Sequence, residues 1–454
     1  MKIIIAGAGA VGGQAAHALC YRGNDVTVID ADESALDRLR EESDVMTLHG
    51  NAALPSVLSE AGVQSADMVL ALTGNSEANL VICALAKTFG VQTKVGRLRT
   101  RRYFDPDLDV GRELFGVDDF IIPEEACVQE IMDSLNRPAV KESVPIGPKA
   151  CEMVNFQVPQ GSPLAGIQLQ HVPRPELLER LRVCAVKRYG RLIVPRGDTE
   201  VSAYDEAYVA GNRRDLDAFI TWATPEARPI RRVLVTGATS VARRLATAVE
   251  AAGMTLSMVV SAEADGHSMI EELSAKTTLI CGESTDASVL EEAAVGEADA
   301  VVAAGANNEA NILTCILAKR MGAGKVVSVV DNTDYSQIIA NLTMIDCGFN
   351  PLVAAVDSLL QHIGSEVRQH VAVLKRIDAE VLDLVVKPSA GIAGKRIADI
   401  AGPADMVFIA IFRAGDFVPP VGRETLCAGD RVTVLARRNC HEAVERLFAG
   451  KRLF

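Results

Sequence analysis

Apolar and polar positions fall in short, evenly spaced blocks, and the first blocks set the pattern for the rest of the chain. Lys2–Ala6 is a brief apolar run that stops at Gly7-Ala8-Gly9-Ala10-Val11-Gly12. Val11–Arg22 follows as an amphipathic stretch ending at Gly23, and Asp25–Ile29 is a second apolar run closed by Asp30. Short β-branched runs read as strands, and the longer stretch between them as a helix. Met68–Leu72, with Thr73-Gly74 at its carboxyl edge, and Lys94-Val95-Gly96-Arg97 read as further strand ends. Strands alternating with helices predict a parallel sheet covered on both faces.

The blocks recur. Gly50–Ala61 matches Gly282–Ala293, Ala66–Leu72 matches Ala298–Ala304, Asn75–Asn79 matches Asn307–Asn311, and Leu85–Lys87 matches Leu317–Lys319, all at an offset of 232 residues. The turn at Gly7 has its counterpart at Gly237, an offset of 230. Later segments match too: Val186–Gly190, Val194–Gly197 and Tyr204-Asp205 parallel Ile411–Gly415, Pro419–Gly422 and Gly429-Asp430. A duplicated unit follows. We expect a large α/β domain over 1–123, a connecting helix over 124–143 and a small α+β domain over 144–226. Thr224–Arg232 reads as the linker, and the order repeats over 230–350, 351–368 and 369–454.

The first glycine turn has the makings of a dinucleotide site on a Rossmann sheet. Gly7 permits the tight turn out of the strand, Gly9 lets the backbone approach a pyrophosphate, and Gly12 lets the helix pack closely. The helix N-terminus supplies N–H groups and a positive dipole end. Asp30 lies at the tip of the second strand, where a carboxylate can accept hydrogen bonds from ribose hydroxyls. Asp32 and Glu33 follow, with no Arg for a 2′-phosphate, so an NAD-type ligand or ATP is favoured over NADP. Thr73 and Gly74 should line the crevice at the strand ends. Arg97 either faces a phosphate or base there or is a solvated surface arginine.

The second turn reads Gly237-Ala238-Thr239-Ser240-Val241-Ala242. A Cβ at Thr239 would crowd a pyrophosphate. The counterpart of Asp30 falls at Val260 or Ser261, with Glu263 nearby. The second copy is expected to keep the fold and lose tight dinucleotide binding.

Composition narrows the function. Aromatics make up 4% of the chain, in keeping with parallel sheets built from small aliphatic residues. The net charge of −13 and the lack of a basic run argue against a nucleic-acid partner. No apolar stretch is long enough to span a bilayer. The glycines interrupting the first run, and its recurrence inside the chain, argue against a leader peptide. The ten cysteines form no CxxC pair, and Cys83 and Cys315 sit in apolar helical patterns as core residues. His362 and His370 lack the acidic or thiol neighbours of a metal site. An NAD-dependent oxidoreductase is the alternative reading. No Tyr-x-x-x-Lys, His–Asp, Ser/His/Asp or Cys/His set stands in a plausible place, the companion domains are small for a substrate domain, and duplication suits a sensor better.

Met1–Gly13, Asp67–Thr73, the pair Arg97 and Arg99, and Ile121–Glu125 together resemble the regulator-of-K⁺-conductance family (RCK, also called KTN). Two such units in N–C–N–C order are similar to the peripheral subunits of bacterial Trk potassium uptake. The resemblance implies two Rossmann-like doubly wound domains, each followed by a small RCK C-terminal domain. It implies a cytosolic homotetramer docked on a membrane potassium channel subunit of TrkH or TrkG type, gated by NAD⁺/NADH and by ATP or ADP. The ligand positions it carries over are Gly7, Ala8, Gly9, Ala10, Val11, Gly12, Asp30, Thr73, Gly74 and Arg97. In single-unit relatives a Glu after Pro helps bind a divalent cation. Glu124 matches it, but Asn350-Pro351-Leu352 has lost the acid, so no metal is expected.

Overall fold

A computed structural model of the chain describes residues 1–454 apart from 22, 109, 148–150, 262–268, 270–272, 363–370, 375–378, 404–405, 438–439 and 450–454. Glu263 and His370 therefore lie outside the described residues.

Strands β1 (Lys2–Ala6), β2 (Asp25–Asp30), β3 (Met46–His49), β4 (Met68–Ala71), β5 (Thr93–Arg97) and β6 (Asp119–Ile121) form the first sheet in the order β3-β2-β1-β4-β5-β6. Every pairing is parallel. The strand order reverses between β1 and β4, and a crevice opens at the carboxyl ends of the strands at such a reversal. Ile3, Ile4 and Ile5 are fully buried because helices cover both faces of β1. Helix α1 (Ala10–Tyr21) buries Val11, Ala15, Ala16 and Leu19, which share one face at helical spacing. Helices α2 (Glu33–Glu42), α3 (Pro55–Glu60) and α4 (Ser76–Thr88) complete the layers.

The second parallel sheet repeats the order: Thr278–Cys281, Thr255–Val260, Arg232–Thr236, Ala300–Ala303, Lys325–Val329, Cys347–Phe349. One compact unit takes in Met1–Met132, Arg232–Ser336 and Gly348–Val367, most of both Rossmann-like domains. Within it, the helix Pro351–His362 crosses over: Ala355, Val356, Leu359 and Leu360 join the core built by β1, β2 and α1 of the first domain. A segment that follows the second sheet thus completes the first domain.

Helix α5 (Pro123–Asn136) is the connecting helix after the first sheet. It ends short of the expected residue 143, because Pro138 cannot continue it and Val140–Pro145 is already a strand. After the second sheet, helix is described over Pro351–His362.

The second compact unit holds the two small domains. The first is an antiparallel sheet in the order Arg191–Ile193, Arg182–Arg188, Glu206–Asn212, Cys151–Gln157, Val140–Pro145, covered by helix Arg213–Ala223 through Leu216, Phe219 and Ile220. The second repeats it with Val371–Leu374, Ala379–Val385, Arg431–Ala436, Met406–Arg413 and Asp416–Val418. Met153, Cys184 and Tyr208 of one sheet pack with Val381, Ile409 and Leu435 of the other. The repeated Arg and Asp have a shared purpose. Arg188 grips Asp205 through Nε (2.8 Å) and Nη2 (2.7 Å), and Arg413 grips Asp430 in the same way at 3.0 and 2.8 Å. Each buried carboxylate also accepts a backbone N–H, from Ser202 or Cys427, at 2.7 Å.

Candidate functional site

The glycine turn is shaped by three different demands. Gly7 has φ +109°, a conformation that L side chains rarely adopt, and its N–H donates to the Ile29 carbonyl at 2.8 Å. A Cβ there would press at 3.0 Å on the Leu72–Thr73 backbone, so β1 and β4 close on each other at this point. A Cβ on Gly12 would fall 1.8 Å from the Gly7 carbonyl oxygen, so this residue fixes how tightly α1 meets its strand. A Cβ on Gly9 would meet nothing within 4 Å. The turn therefore needs Gly7 and Gly12 to fold, whereas Gly9 leaves open space. Helix α1 begins at Ala10, which places the N–H groups of its first turn, with Val11, beside that space.

Asp30 closes the turn from the side. Its carboxylate accepts the Ala8 N–H at 2.5 Å and the Asp32 N–H at 2.8 Å. It thus braces the glycine loop directly, a bond that spacing alone did not reveal.

Thr73 and Gly74 are held by a residue that sequence reasoning passed over. Asn79, fully buried on α4, accepts the Thr73 N–H (3.0 Å) and hydroxyl (2.7 Å). Its amide donates to the Thr73 carbonyl (3.1 Å) and to the Arg97 carbonyl (2.8 Å), locking the ends of β4 and β5 together. Asn311 does the same in the second domain, with Gly305 at 2.8 and 2.9 Å and the Val329 carbonyl at 2.9 Å. The signal was present in the repeat, where both asparagines sit in matching segments. The Arg97 side chain is half-buried and has no hydrogen bond or ion pair among the described residues. Burial pulls its guanidinium below the ordinary value, Glu124 opposes that, and Arg99 adds to it. Arg99 donates from Nη2 to the Gly74 carbonyl at 3.0 Å.

The second turn is filled. Gly237 keeps the left-handed conformation at φ +100°, but Thr239 stands where Gly9 leaves space. Its hydroxyl donates to the Ala304 carbonyl at 2.7 Å and accepts the Ala242 N–H at 3.3 Å, capping the helix Ser240–Ala251. At the end of the second strand Val260 is buried and Ser261 is exposed, so no carboxylate stands at either counterpart of Asp30. No group of His, Cys, Asp and Glu suited to a metal occurs among the described residues, and none of their helices is long and apolar enough to cross a membrane.

The TrkA-N domain model matches residues 3–123 and 233–349, and the TrkA-C domain model matches 153–223 and 381–449. The chain belongs to the TrkA family. The Trk system potassium uptake protein TrkA of Halomonas elongata is 31% identical over 99% of this chain and 98% of its own length. That of Vibrio alginolyticus is 30% identical over 96% and 93%. Among solved structures, the GsuK RCK domain covers 98% of this chain and 94% of its own at a TM-score of 0.56 and 15% identity. The GsuK channel bound to NAD covers 98% and 78% at 0.56 and 16%. These two show the same fold. The tandem order read from the repeat is thus the TrkA order, and the named relatives are potassium uptake proteins.

Proposed function

We propose that this chain is the nucleotide-sensing gating subunit of a Trk-type potassium uptake channel. It binds NAD⁺/NADH, and ATP or ADP, in the first crevice. The carrying observation is the contrast between the two turns: open at Gly9 beside a helix N-terminus and Asp30, filled by Thr239 in the second domain. The names of the TrkA relatives and the NAD-bound GsuK channel support the potassium and nucleotide parts of this reading.

The channel partner is a membrane subunit of TrkH or TrkG type, which holds the protein at the inner face of the cell membrane. A homotetramer is the assembled form. Val81 on α4 and Leu313 at the matching position of helix Asn308–Arg320 are both about half exposed. Such repeated faces suit contacts between copies. Gating is a population shift, in which a nucleotide moves the assembly by its difference in affinity for two shapes.

Calorimetric titration with NADH, NAD⁺, ATP and ADP tests the site. At least one should bind, and Asp30→Ala should weaken it by about tenfold or more, the scale of a charge-assisted hydrogen bond. Absence of binding by all four, or binding unaltered by Asp30→Ala, overturns the reading. Potassium flux through the reconstituted channel, with and without this protein and each nucleotide, tests the gating.

A further inference from the structure

Arg244 ties the second Rossmann-like domain to the rim of the first crevice. It projects from the helix Ser240–Ala251, just beyond the filled turn, and its guanidinium forks. Nη2 donates to the Arg99 carbonyl at 2.9 Å, and Nη1 to Glu125 Oε1 at 2.8 Å. Arg99 belongs to the first domain and Glu125 to the connecting helix that follows its sheet. Arg99 is itself a bridge, donating from its backbone N–H to Ser76 Oγ at 3.1 Å and from its side chain to the Gly74 carbonyl at 3.0 Å. It therefore joins the carboxyl ends of β4 and β5 beside Thr73. Glu125 lies in the first turn of α5, and its other oxygen takes Arg101 Nε at 2.9 Å.

The link runs one way. By the repeat, the counterparts of Arg244, Arg99 and Glu125 are Gln14, Asp331 and Val353, a set without a cation. Asp331 is occupied within its own domain, where it accepts the Asn308 amide at 2.7 Å. The domain with the filled turn reaches into the domain with the open one, and the reverse reach has no charged fork. Two directed bonds onto one short wall restrain it more than either alone, since a guanidinium fork is planar and fixes both acceptors together.

We propose that Arg244 is a positioning residue that sets the Gly74–Arg99 wall of the first crevice. Through it, a phosphate-bearing nucleotide in that crevice is energetically linked to the seating of the second domain on the first. The link rests on the nucleotide reading above. It is reciprocal: whatever factor the seating adds to nucleotide affinity, the nucleotide adds to the seating.

The test uses the full chain as wild type, Arg244→Ala, Arg244→Lys and Glu125→Gln. Affinity for NADH and ATP is measured by calorimetry, and amide hydrogen exchange is followed in 240–251 with and without nucleotide. Arg244→Ala should weaken binding by about 5- to 20-fold, within the usual range of coupling between sites. The wild type should show nucleotide-dependent slowing of exchange in 240–251, and Arg244→Ala should abolish it. Arg244→Lys, which restores one arm of the fork, should recover part of the affinity, and Glu125→Gln should weaken binding in the same direction. The two conservative variants keep the test open if Arg244→Ala folds poorly. Wild-type binding with unchanged affinity and exchange in folded Arg244→Ala, or in both conservative variants, overturns the link alone. Failure of the wild type to bind either nucleotide overturns the crevice reading itself, and the link with it.

Discussion

Gly9→Ala separates what the glycine turn does for the fold from what it does for a ligand. A Cβ at Gly9 meets nothing within 4 Å, and the residue is not among the glycines with positive φ, so the folded chain can accept the methyl. Where alanine fits the native backbone, it stabilises by about 0.4–1 kcal/mol through the unfolded chain. A large domain gains roughly 2–4 °C per kcal/mol, so the melting temperature should rise by about 1–4 °C. A nucleotide fares differently, because the methyl fills the space its phosphates would occupy beside the first turn of α1. Overpacking of this kind costs about 1–3 kcal/mol, which is roughly 5- to 150-fold in affinity. Gly12→Ala is the contrasting control: its Cβ would lie 1.8 Å from the Gly7 carbonyl, so it should melt below the wild type even without ligand. Scanning calorimetry and titration with NADH and ATP measure both quantities on the same samples. If Gly9→Ala is folded and binds as tightly as wild type, phosphates do not pass over Gly9. If it melts well below wild type, the open space is not there.

Three further outcomes follow from other parts of the fold. Asn79→Ala strips four hydrogen bonds from the ends of β4 and β5 and leaves buried backbone groups unpaired, so chemical denaturation should show a loss of about 3 kcal/mol or more. Leu359→Ala should cost about 2–5 kcal/mol, and hydrogen exchange should report the loosening in β1 and α1 although the residue lies beyond the second sheet. Burial raises the Asp430 carboxyl, but the Arg413 hydrogen bond, the Cys427 N–H and the Arg413 charge together hold it below its ordinary 3.8. Its contribution is therefore present above pH 3.8 and lost as the pH falls through the lower folded value. Asp430→Asn should be less stable than wild type near neutrality, by about 2 kcal/mol, and the gap should close as acid protonates Asp430; a gap independent of pH would contradict the pairing.

The fold was legible where local pattern and repeat agreed. The apolar runs at Lys2–Ala6, Asp25–Ile29 and Met68–Leu72 are buried strands, and matching segments 230 or 232 residues later form the same elements. Helix ends were less legible, since the polar residues around Asn136 continue a helical pattern until Pro138 forbids it. The destination of the helix Pro351–His362 could not be read at all. An amphipathic pattern says that one face is covered, not which sheet covers it. The same limit applied at the candidate site. Spacing placed Gly7, Asp30 and Thr73 at strand ends and Gly12 in the first helix, but the bonds from the Ala8 N–H to Asp30 and from the Asn79 amide to Arg97 depend on side-chain direction across the crevice.

The crossing helix also bears on how the chain is made. The first domain leaves the ribosome long before Val356, Leu359 and Leu360, which finish its core. At ~5–20 residues per second, that wait is on the order of ten to fifty seconds. Throughout it, the nascent first domain presents an uncovered apolar groove along α1, a surface that a chaperone or a neighbouring nascent chain can occupy first. A second protein molecule can supply the missing helix as readily as the chain's own later half, so exchange of this helix between copies is the natural misassembly of this architecture.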